Sequence, residues 1–302
     1  EALSDHPGWV GNPWSDWERN LPESTGTIIL LGTGLTTVDA IITLRALGWL
    51  GTMHAVSRHG WLPHAHFRGV DYAEFPPAGV DLASLGLEPL IELMEKHCQI
   101  LREAGHNPAI IVDKMRPHTQ RIWHEFSLEE RHTFARDHAA RWNVLRHRIA
   151  PEIHAQVAGS QITGQLRVHS AMIERVEAAG DRIRVCLDDG KELEGDLVIN
   201  ATGPQTRFTA TRSGFLQNLL HRGLVSPDDM DMGIKIDPEH RVIGQDGQSS
   251  GRLLALGPLL RGTYWETIAV PELRGQARRV AETLLEVATL SEPEPVMMEY
   301  MI

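Results

Sequence analysis

Two glycines, Gly32 and Gly34, stand between an apolar run at residues 28–31 and a segment with helical spacing of apolar residues from Leu35 onward. This order is typical of a strand, a tight turn and the first turn of a helix. Such a turn presents backbone N–H groups to a phosphate, and glycine leaves room for its approach. Thr37 stands where the usual fingerprint has its third glycine, which serves helix–strand packing. The predicted pyrophosphate-binding residues are Gly32, Thr33, Gly34, Leu35 and Thr36.

Ser57 and Arg58, at the end of the next expected strand, indicate which dinucleotide this loop would hold. Sites for NAD place an aspartate or glutamate about 20 residues after the glycines, where it binds the ribose 2′-hydroxyl. Here a guanidinium can pair with a 2′-phosphate, and a serine hydroxyl can donate to it. We therefore predict that NADPH is favoured over NADH. A methyltransferase with a similar loop would also need an acidic residue at this position, which disfavours that class.

A strand–helix–strand unit must position these residues, and residues 27–58 show the pattern for one. The expected elements are a strand at 27–31, a helix at 35–47 and a strand at 52–58. Apolar residues then recur at helical spacing over residues 86–159, where Ser127 and Glu130 form a candidate capping box. We interpret this stretch as a helical insert.

Residues 160–203 change to a pattern of strands, with hairpin turn signals at Gly180-Asp181 and Asp189-Gly190 and a buried strand that ends near residue 200. The elements expected beyond it are a helix near 214–222, a strand near 232–236, and a strand, a turn and a long helix over 252–288. The fold class that follows is α/β: a doubly wound nucleotide-binding domain that carries a helical insert and a β-meander.

Composition excludes several classes. Among the 302 residues 42% are hydrophobic, and no apolar stretch approaches the roughly 18 residues of a membrane span. The net charge of −11 argues against a nucleic-acid-binding protein. Cys98 and Cys186 are the two cysteines and lie far apart in sequence, so we expect a reducing compartment and a cytoplasmic protein.

Other catalytic patterns are weak in this sequence. His64 and His66 form an H-x-H pair without the further ligands that a metal site needs, so we predict no metal. No tyrosine is followed four residues later by lysine, as short-chain dehydrogenases require, and a G-x-S-x-G elbow is missing. No side chain stands out as a catalytic acid or base, which fits an enzyme whose cofactor carries the chemistry.

Four stretches of the chain resemble a known group of proteins. They are "GTGLTTVD", "AVSRHGWLPHAH", "INATGP" and "GPLLRGTYWETIAVPELRGQA". In this order they are similar to flavoproteins with two dinucleotide-binding domains, in particular a bacterial group of FAD/NAD(P)-binding oxidoreductases. Ornithine and lysine N-hydroxylases and flavin monooxygenases resemble the chain more distantly.

The resemblance implies a domain organisation in which an NADPH domain is inserted within an FAD domain. The implied parts are a lead-in segment at 1–26, an NADPH-binding domain at 27–85 and 160–203, a helical insert at 86–159, and the C-terminal part of the FAD domain at 204–302. Thr202 and Gly203 would lie at the crossing back to the FAD domain. The residues implied to lie against the flavin are Gly257, Thr263, Trp265 and Glu266.

The resemblance further implies an FAD- and NADPH-dependent oxidoreductase in which hydride passes from NADPH to flavin, with a monooxygenase as one option and an unknown small molecule as substrate. The FAD domain of the family begins with its own strand–GxGxxG–helix, and residues 1–26 contain no such motif. We therefore expect this 302-residue chain alone to carry little FAD. The alternative is a non-catalytic NADPH-binding module or fragment that senses nucleotide or docks a partner.

Overall fold

The computed structural model describes residues 3–67 and 71–291. Their strands are β1 (Trp9–Val10), β2 (Thr27–Leu31), β3 (Thr52–Ser57), β4 (Leu166–Ser170), β5 (Ile173–Ala179), β6 (Arg182–Leu187), β7 (Glu192–Gly195), β8 (Leu197–Asn200), β9 (Arg241–Ile243) and β10 (Ser249–Leu254). Their α-helices are α1 (Leu35–Ala46), α2 (Leu87–Glu103), α3 (Ala109–Met115), α4 (Thr119–Glu125), α5 (Leu128–Thr133), α6 (Ala139–Arg146), α7 (Pro151–Ile162), α8 (Gly214–His221) and α9 (Val270–Ser291). A π-helical turn at Phe134–His138 joins α5 to α6.

The chain folds as two compact units. Unit 1 is formed by the described residues of Glu1–Ala73, Lys96–Asp113 and His138–Pro204. Unit 2 is formed by those of Glu74–Glu95, Lys114–Asp137 and Gln205–Ile302. The assignment of sequence ranges to NADPH- and FAD-binding domains stays a prediction.

Unit 1 is built on a five-stranded sheet in the order β1-β8-β2-β3-β4. Each strand pairs with its neighbours in parallel. Parallel sheets are covered on both faces, and β2 accordingly has four consecutive buried residues at 28–31. The predicted α/β fold with a parallel sheet is therefore confirmed, and β2, α1 and β3 lie where the sequence pattern placed them.

Two different layers cover the sheet of unit 1. Side chains alternate between the faces of a strand, so Ile28 packs with Ile41 of α1 and Val157 of α7. Ile29 points to the other face and packs with Val185 of β6. That second layer is the antiparallel meander β5-β6-β7, in which Gly180 and Asp181 form the predicted two-residue turn between β5 and β6. Unit 1 is thus a helix–sheet–meander sandwich.

Unit 2 has its own apolar core, which includes Phe208, Val225, Val242 and Leu260. The expected strand near 232–236 is wrong, because Ile234 and Ile236 form only isolated bridges, to Pro227 and Val242. Both isoleucines are buried, so their alternation reflects contact with the core. A continuous backbone ladder does not follow from that alternation alone.

The capping box predicted at Ser127 and Glu130 is present in unit 2 and extends to a second helix. The Ser127 hydroxyl accepts from the Glu130 N–H at 3.2 Å, and Glu130 Oε2 accepts from the Ser127 N–H at 2.8 Å. The other oxygen, Oε1, accepts from the N–H of Leu87 at the start of α2, at 2.7 Å. These hydrogen bonds, led by that from Leu87, lower the pKa of Glu130.

None of the helices in the described ranges combines the length and the apolar composition that crossing a membrane requires.

Candidate functional site

Gly32 is a glycine that the fold itself requires. It follows β2 with φ +115°, in the left-handed region, and a Cβ at this position would collide with the carbonyl oxygen of Ala201. Its N–H donates to Val56 O at 2.7 Å, and the Ala201 N–H donates to Leu31 O at 2.8 Å. The glycine loop therefore lies between the ends of β3 and β8, at the carboxyl edge of the sheet where ligands of open α/β sheets bind.

Gly34 differs from Gly32 because nothing in the protein requires a glycine there. Its φ of −81° is ordinary for any residue, and a Cβ would meet no heavy atom of the described residues within 4 Å. The backbone N–H groups of Gly34, Leu35 and Thr36 likewise find no acceptor among the described residues. These donors lie at the positive end of the twelve-residue helix α1, so the loop combines open space with an anion-binding terminus.

Thr37 explains how the loop tolerates the loss of its third glycine. The side chain is fully buried, and its hydroxyl donates to the carbonyl oxygen of Gly32 at 2.8 Å. This bond ties the first turn of α1 to the loop, so a hydroxyl joins helix and loop where the usual fingerprint has a glycine. The unusual threonine was the only signal of this contact in the sequence.

Ser57 connects the end of β3 to the glycine loop. Its hydroxyl lies 2.8 Å from the hydroxyl of the buried Thr33 and accepts from the Gly60 N–H at 3.0 Å. Arg58 is exposed, and no carboxylate among the described residues pairs with its guanidinium. Sequence reasoning placed these residues at one site but missed the hydroxyl pair that joins them.

Thr202 and Gly203 follow β8 and lie beside the same loop. Asn200 Oδ1 accepts from the Thr202 hydroxyl at 2.7 Å and from its N–H at 3.3 Å. Gly203 has φ +100°, and a Cβ there would meet no described atom within 4 Å. Thr202 and Gly203, implied to lie at the crossing back to the FAD domain, thus follow the strand whose end contacts Gly32.

Residues 257–266, the stretch implied to face a flavin, belong to unit 2, and several of their groups are engaged within that unit. Gly257 has φ +77°, and its N–H donates to Gln276 Oε1 at 2.7 Å. The buried Trp265 ring lies 4.9 Å from Trp123 and 5.0 Å from Phe134, in an aromatic cluster. Thr263 is half-buried, and its hydroxyl has no partner among the described residues.

A cavity of about 480 Å³ within unit 2 is lined by Glu266 and the first turns of α9. Such a volume is in the range of small-molecule sites. Its wall includes His240, which has φ +63° and whose Nδ1 lies 3.0 Å from Ala255 O. The Tyr264 ring stacks on His240 at 5.9 Å, and burial raises the pKa of the Tyr264 hydroxyl. Arg116 pairs bidentately with Glu272 at the same cavity, at 3.1 and 3.0 Å.

The H-x-H pair has a structural place in unit 1. Ile149 donates to His64 O at 2.9 Å and accepts from the His66 N–H at 2.8 Å, so this segment forms a backbone bridge. Across the described part of the chain, no three histidine, cysteine, aspartate or glutamate side chains are grouped as metal ligands.

Among comparisons with known proteins, only those with solved structures give matches, and these concern the fold. The sequence matches no protein-family model, and no curated protein sequence matches it. One solved structure of similar fold is the ornithine N-hydroxylase of Kutzneria sp. 744 with reduced FAD, NADP+ and L-ornithine. The match covers 94% of this chain and 61% of the hydroxylase chain, with a TM-score of 0.53 and 16% sequence identity. The chain shares the fold of this structure, an α/β fold with a parallel sheet of the Rossmann type.

Two further solved structures resemble it to the same degree. The match to the reduced form of the ornithine hydroxylase of Pseudomonas aeruginosa covers 95% of this chain and 59% of the hydroxylase chain, with a TM-score of 0.57 and 15% sequence identity. The match to the L-lysine 6-monooxygenase of Pseudomonas syringae also covers 95% of this chain and 59% of the enzyme chain, with a TM-score of 0.55 and 16% sequence identity. The chain spans about three fifths of the length of these proteins.

Proposed function

We propose that unit 1 binds NADPH, with the pyrophosphate over Gly34 and the start of α1. The observation that carries the proposal is the open space at Gly34, where a Cβ would meet no described atom and the backbone is unstrained. Neither packing nor strain accounts for a glycine here, whereas the close approach of a phosphate does. The N–H groups of Gly34, Leu35 and Thr36, which have no acceptor among the described residues, supply the donors that the phosphate oxygens need.

The choice of NADPH over NADH rests on Arg58 and Ser57. The Arg58 guanidinium is exposed, and no described carboxylate neutralises it, so its charge is available to a 2′-phosphate. The Ser57 hydroxyl is held at the end of β3 by Thr33 and Gly60, one residue before Arg58. Thr202 and Gly203 complete the proposed nucleotide site on the β8 side.

We further propose that the protein is an FAD- and NADPH-dependent oxidoreductase, with a monooxygenase as one form of that activity. Solved structures of similar fold include a hydroxylase with reduced FAD and NADP+, which supports this class. Bound FAD would take hydride from NADPH and pass electrons to oxygen or to a small-molecule substrate. The role of this chain's residues is to hold and orient the nucleotides.

The proposed flavin contacts in unit 2 do not fit equally well. The Gly257 N–H donates to Gln276, and the Trp265 ring is enclosed by other aromatic rings. Glu266 lines the cavity at the start of α9, and the Thr263 hydroxyl is without a described partner. We therefore assign the flavin side chiefly to Thr263 and Glu266.

Titration of the purified chain with NADPH and NADH, followed by calorimetry, tests the nucleotide proposal. A charge-assisted contact is worth about 1.5–3 kcal/mol, so we expect NADPH to bind about 10- to 150-fold more tightly. Equal affinity for the two nucleotides would contradict it. Excess FAD added without oxygen then tests the enzyme: although the chain alone should retain little FAD, NADPH should bleach the yellow absorbance of the added flavin faster with the protein than without it.

A second candidate is a non-catalytic NADPH-binding module that senses nucleotide or docks a partner. The internal engagement of the Gly257 N–H and the Trp265 ring favours it, because both groups are then unavailable to a flavin. This candidate expects tight NADPH binding with neither retention nor reduction of FAD. The two candidates therefore differ in the flavin measurement alone.

Partners and location follow the same reasoning. The proposed ligands are the nucleotide cofactors and a small molecule, and the net charge of −11 disfavours nucleic acid. We propose a cytoplasmic location because Cys98 and Cys186 form no disulfide in the described part of the chain.

A further inference from the structure

An aromatic pair follows the end of β3 in unit 1. The rings of His59 and Trp61 are stacked with centroids 4.3 Å apart and planes inclined by 20°. Trp61 remains 41% exposed although its neighbour Leu62 packs on the core of the unit. His59 therefore stacks against one face of an indole that keeps two fifths of its surface exposed.

The backbone that carries this pair is firmly held. Gly60, between the two rings, has φ +62°, and its N–H donates to the Ser57 hydroxyl. The Ser170 hydroxyl donates to Arg58 O at 3.2 Å, which fixes the preceding residue. Pro63 is buried on the other side. The indole is therefore presented by a rigid turn and would lose little freedom on binding a ligand.

The aromatic pair lies where the covalent structure of NADPH would place the adenine ring. The 2′-phosphate and the adenine ring are attached to the same ribose, at adjacent carbons. A ligand whose 2′-phosphate meets Arg58 must place its adenine within the length of one sugar from that residue. Trp61 lies three residues beyond Arg58, at the same carboxyl edge of the sheet.

We propose that the indole of Trp61, backed by His59, is the stacking surface for the adenine ring; this rests on the proposed binding of NADPH. Adenine presents a flat π-face, and indole is the side chain with the largest matching surface. The stack would contribute equally to NADPH and NADH, because both carry adenine. Arg58 would discriminate between them, and Trp61 would set the affinity that they share.

Three variants and four ligands test this surface by calorimetry. The ligands are NADPH, NADH, adenosine 2′,5′-bisphosphate and reduced nicotinamide mononucleotide. Trp61→Ala should weaken NADPH and adenosine 2′,5′-bisphosphate by the same factor, about 5- to 150-fold, which is the usual loss for a base–aromatic stack. The ratio of NADPH to NADH affinity should stay unchanged, and so should the affinity for the mononucleotide.

Trp61→Phe should retain most of the affinity, whereas Trp14→Ala, at another exposed tryptophan of unit 1 (75% exposed), should change nothing. Tryptophan fluorescence gives an independent readout, since quenching by adenosine 2′,5′-bisphosphate should be lost in Trp61→Phe.

Wild-type affinity of Trp61→Ala for the adenine ligands would overturn the stacking surface and leave the proposed function intact. An equal loss for the mononucleotide would also overturn it, because the effect would then not depend on adenine. Failure of the wild-type chain to bind any of the four ligands would overturn the proposed function, and the stacking surface with it.

Discussion

The hydroxyl oxygens of Thr33 and Ser57 lie 2.8 Å apart and join the glycine loop to the end of β3. The two residues belong to the two halves of the proposed site, the pyrophosphate loop and the 2′-phosphate end. Their contact fixes the distance between these halves before any ligand binds, which favours affinity by reducing the ordering cost of binding.

Replacement of one hydroxyl should therefore affect both stability and binding. In Ser57→Ala the buried Thr33 hydroxyl loses its partner, and the Gly60 N–H keeps only the carbonyl oxygen of residue 57, at 3.3 Å, so we expect the free energy of unfolding to fall by about 1–3 kcal/mol. NADPH affinity should fall more than NADH affinity, because the proposed site also has Ser57 donating to the 2′-phosphate. Urea denaturation and calorimetry measure the two effects. Wild-type stability of the variant would show that the hydroxyl pair does not support the loop.

The two loop glycines should respond in opposite ways to substitution. Gly34→Ala and Gly34→Val place atoms in open space, so both variants should fold normally, with nucleotide binding reduced in the first and abolished in the second. Gly32→Ala should instead lower stability, because its φ is +115° and its Cβ would collide with Ala201. Thermal melts followed by NADPH titration separate the cases. Normal NADPH binding by Gly34→Val would mean that the loop is only a turn.

Arg58→Ala should remove the preference for NADPH. A contact of the proposed kind between a guanidinium and a phosphate is worth about 1.5–3 kcal/mol, so the variant should bind NADPH about 10- to 150-fold more weakly with NADH nearly unchanged. Arg19→Ala is a suitable control, because Arg19 is an exposed arginine of the same unit that pairs with Asp16. Equal losses for both nucleotides in Arg58→Ala would remove this residue from the 2′-phosphate site.

A histidine pair should make unit 1 sensitive to acid. His54 Nδ1 lies 2.8 Å from His169 Nε2, and burial, with the charges of His169 and Arg167, lowers the pKa of His54 from 6.5 to about 4. Between these values the unfolded chain binds more protons than the folded chain, so stability should be full above pH 6.5 and fall as the pH drops toward 4.

His54→Gln should flatten this dependence, whereas His132→Gln, at an exposed histidine, should leave it as in the wild type. Melting temperatures recorded at intervals of half a pH unit measure this pH dependence of stability. The same acid slope in His54→Gln and the wild type would assign the loss to other groups.

A buried carboxylate in unit 2 should have the opposite pH dependence. Asp228 Oδ1 accepts from the N–H groups of Met230 and Met232, but Oδ2 has no partner among the described residues, and burial raises the pKa of the group. The folded state then holds its proton to higher pH than the unfolded state, so ionisation destabilises the fold as the pH rises through the raised value.

Asp228→Asn keeps the two accepted bonds and removes the charge, so we expect a higher melting temperature at pH 8 and little change near pH 4. Destabilisation at pH 8 with little change near pH 4 would mean that the ionised group is held by a partner.

The sequence was sufficient for the glycine loop and its strand–helix–strand setting, because these depend on local patterns. β2, α1 and β3 follow from apolar periodicity and glycine chemistry, and the capping box follows from Ser127 and Glu130. The hairpin turn at Gly180 and Asp181 is of the same kind. Such features need information from only a few neighbouring residues.

Contacts between distant residues could not be predicted in this way. The Thr33–Ser57 pair spans 24 positions, and the packing of Ala201 against Gly32 depends on β8 lying beside β2. The expectation that Trp265 contacts a flavin came from the family resemblance alone. In the structure its ring packs among aromatic side chains of unit 2. The prediction of a strand near 232–236 was wrong for a related reason. Alternating apolar residues indicate which side chains are buried, whereas strand formation also requires a neighbouring strand for backbone hydrogen bonds.

Glu130 makes two helix starts in unit 2 depend on one carboxylate. Its Oε2 closes the start of α5 and its Oε1 caps α2 at Leu87, 43 positions away in the chain. When α5 frays and the carboxylate leaves, the first N–H of α2 loses its acceptor at the same moment. The amide protons at both helix starts should therefore exchange with solvent in a single opening event, which makes two segments distant in sequence one cooperative unit of local unfolding.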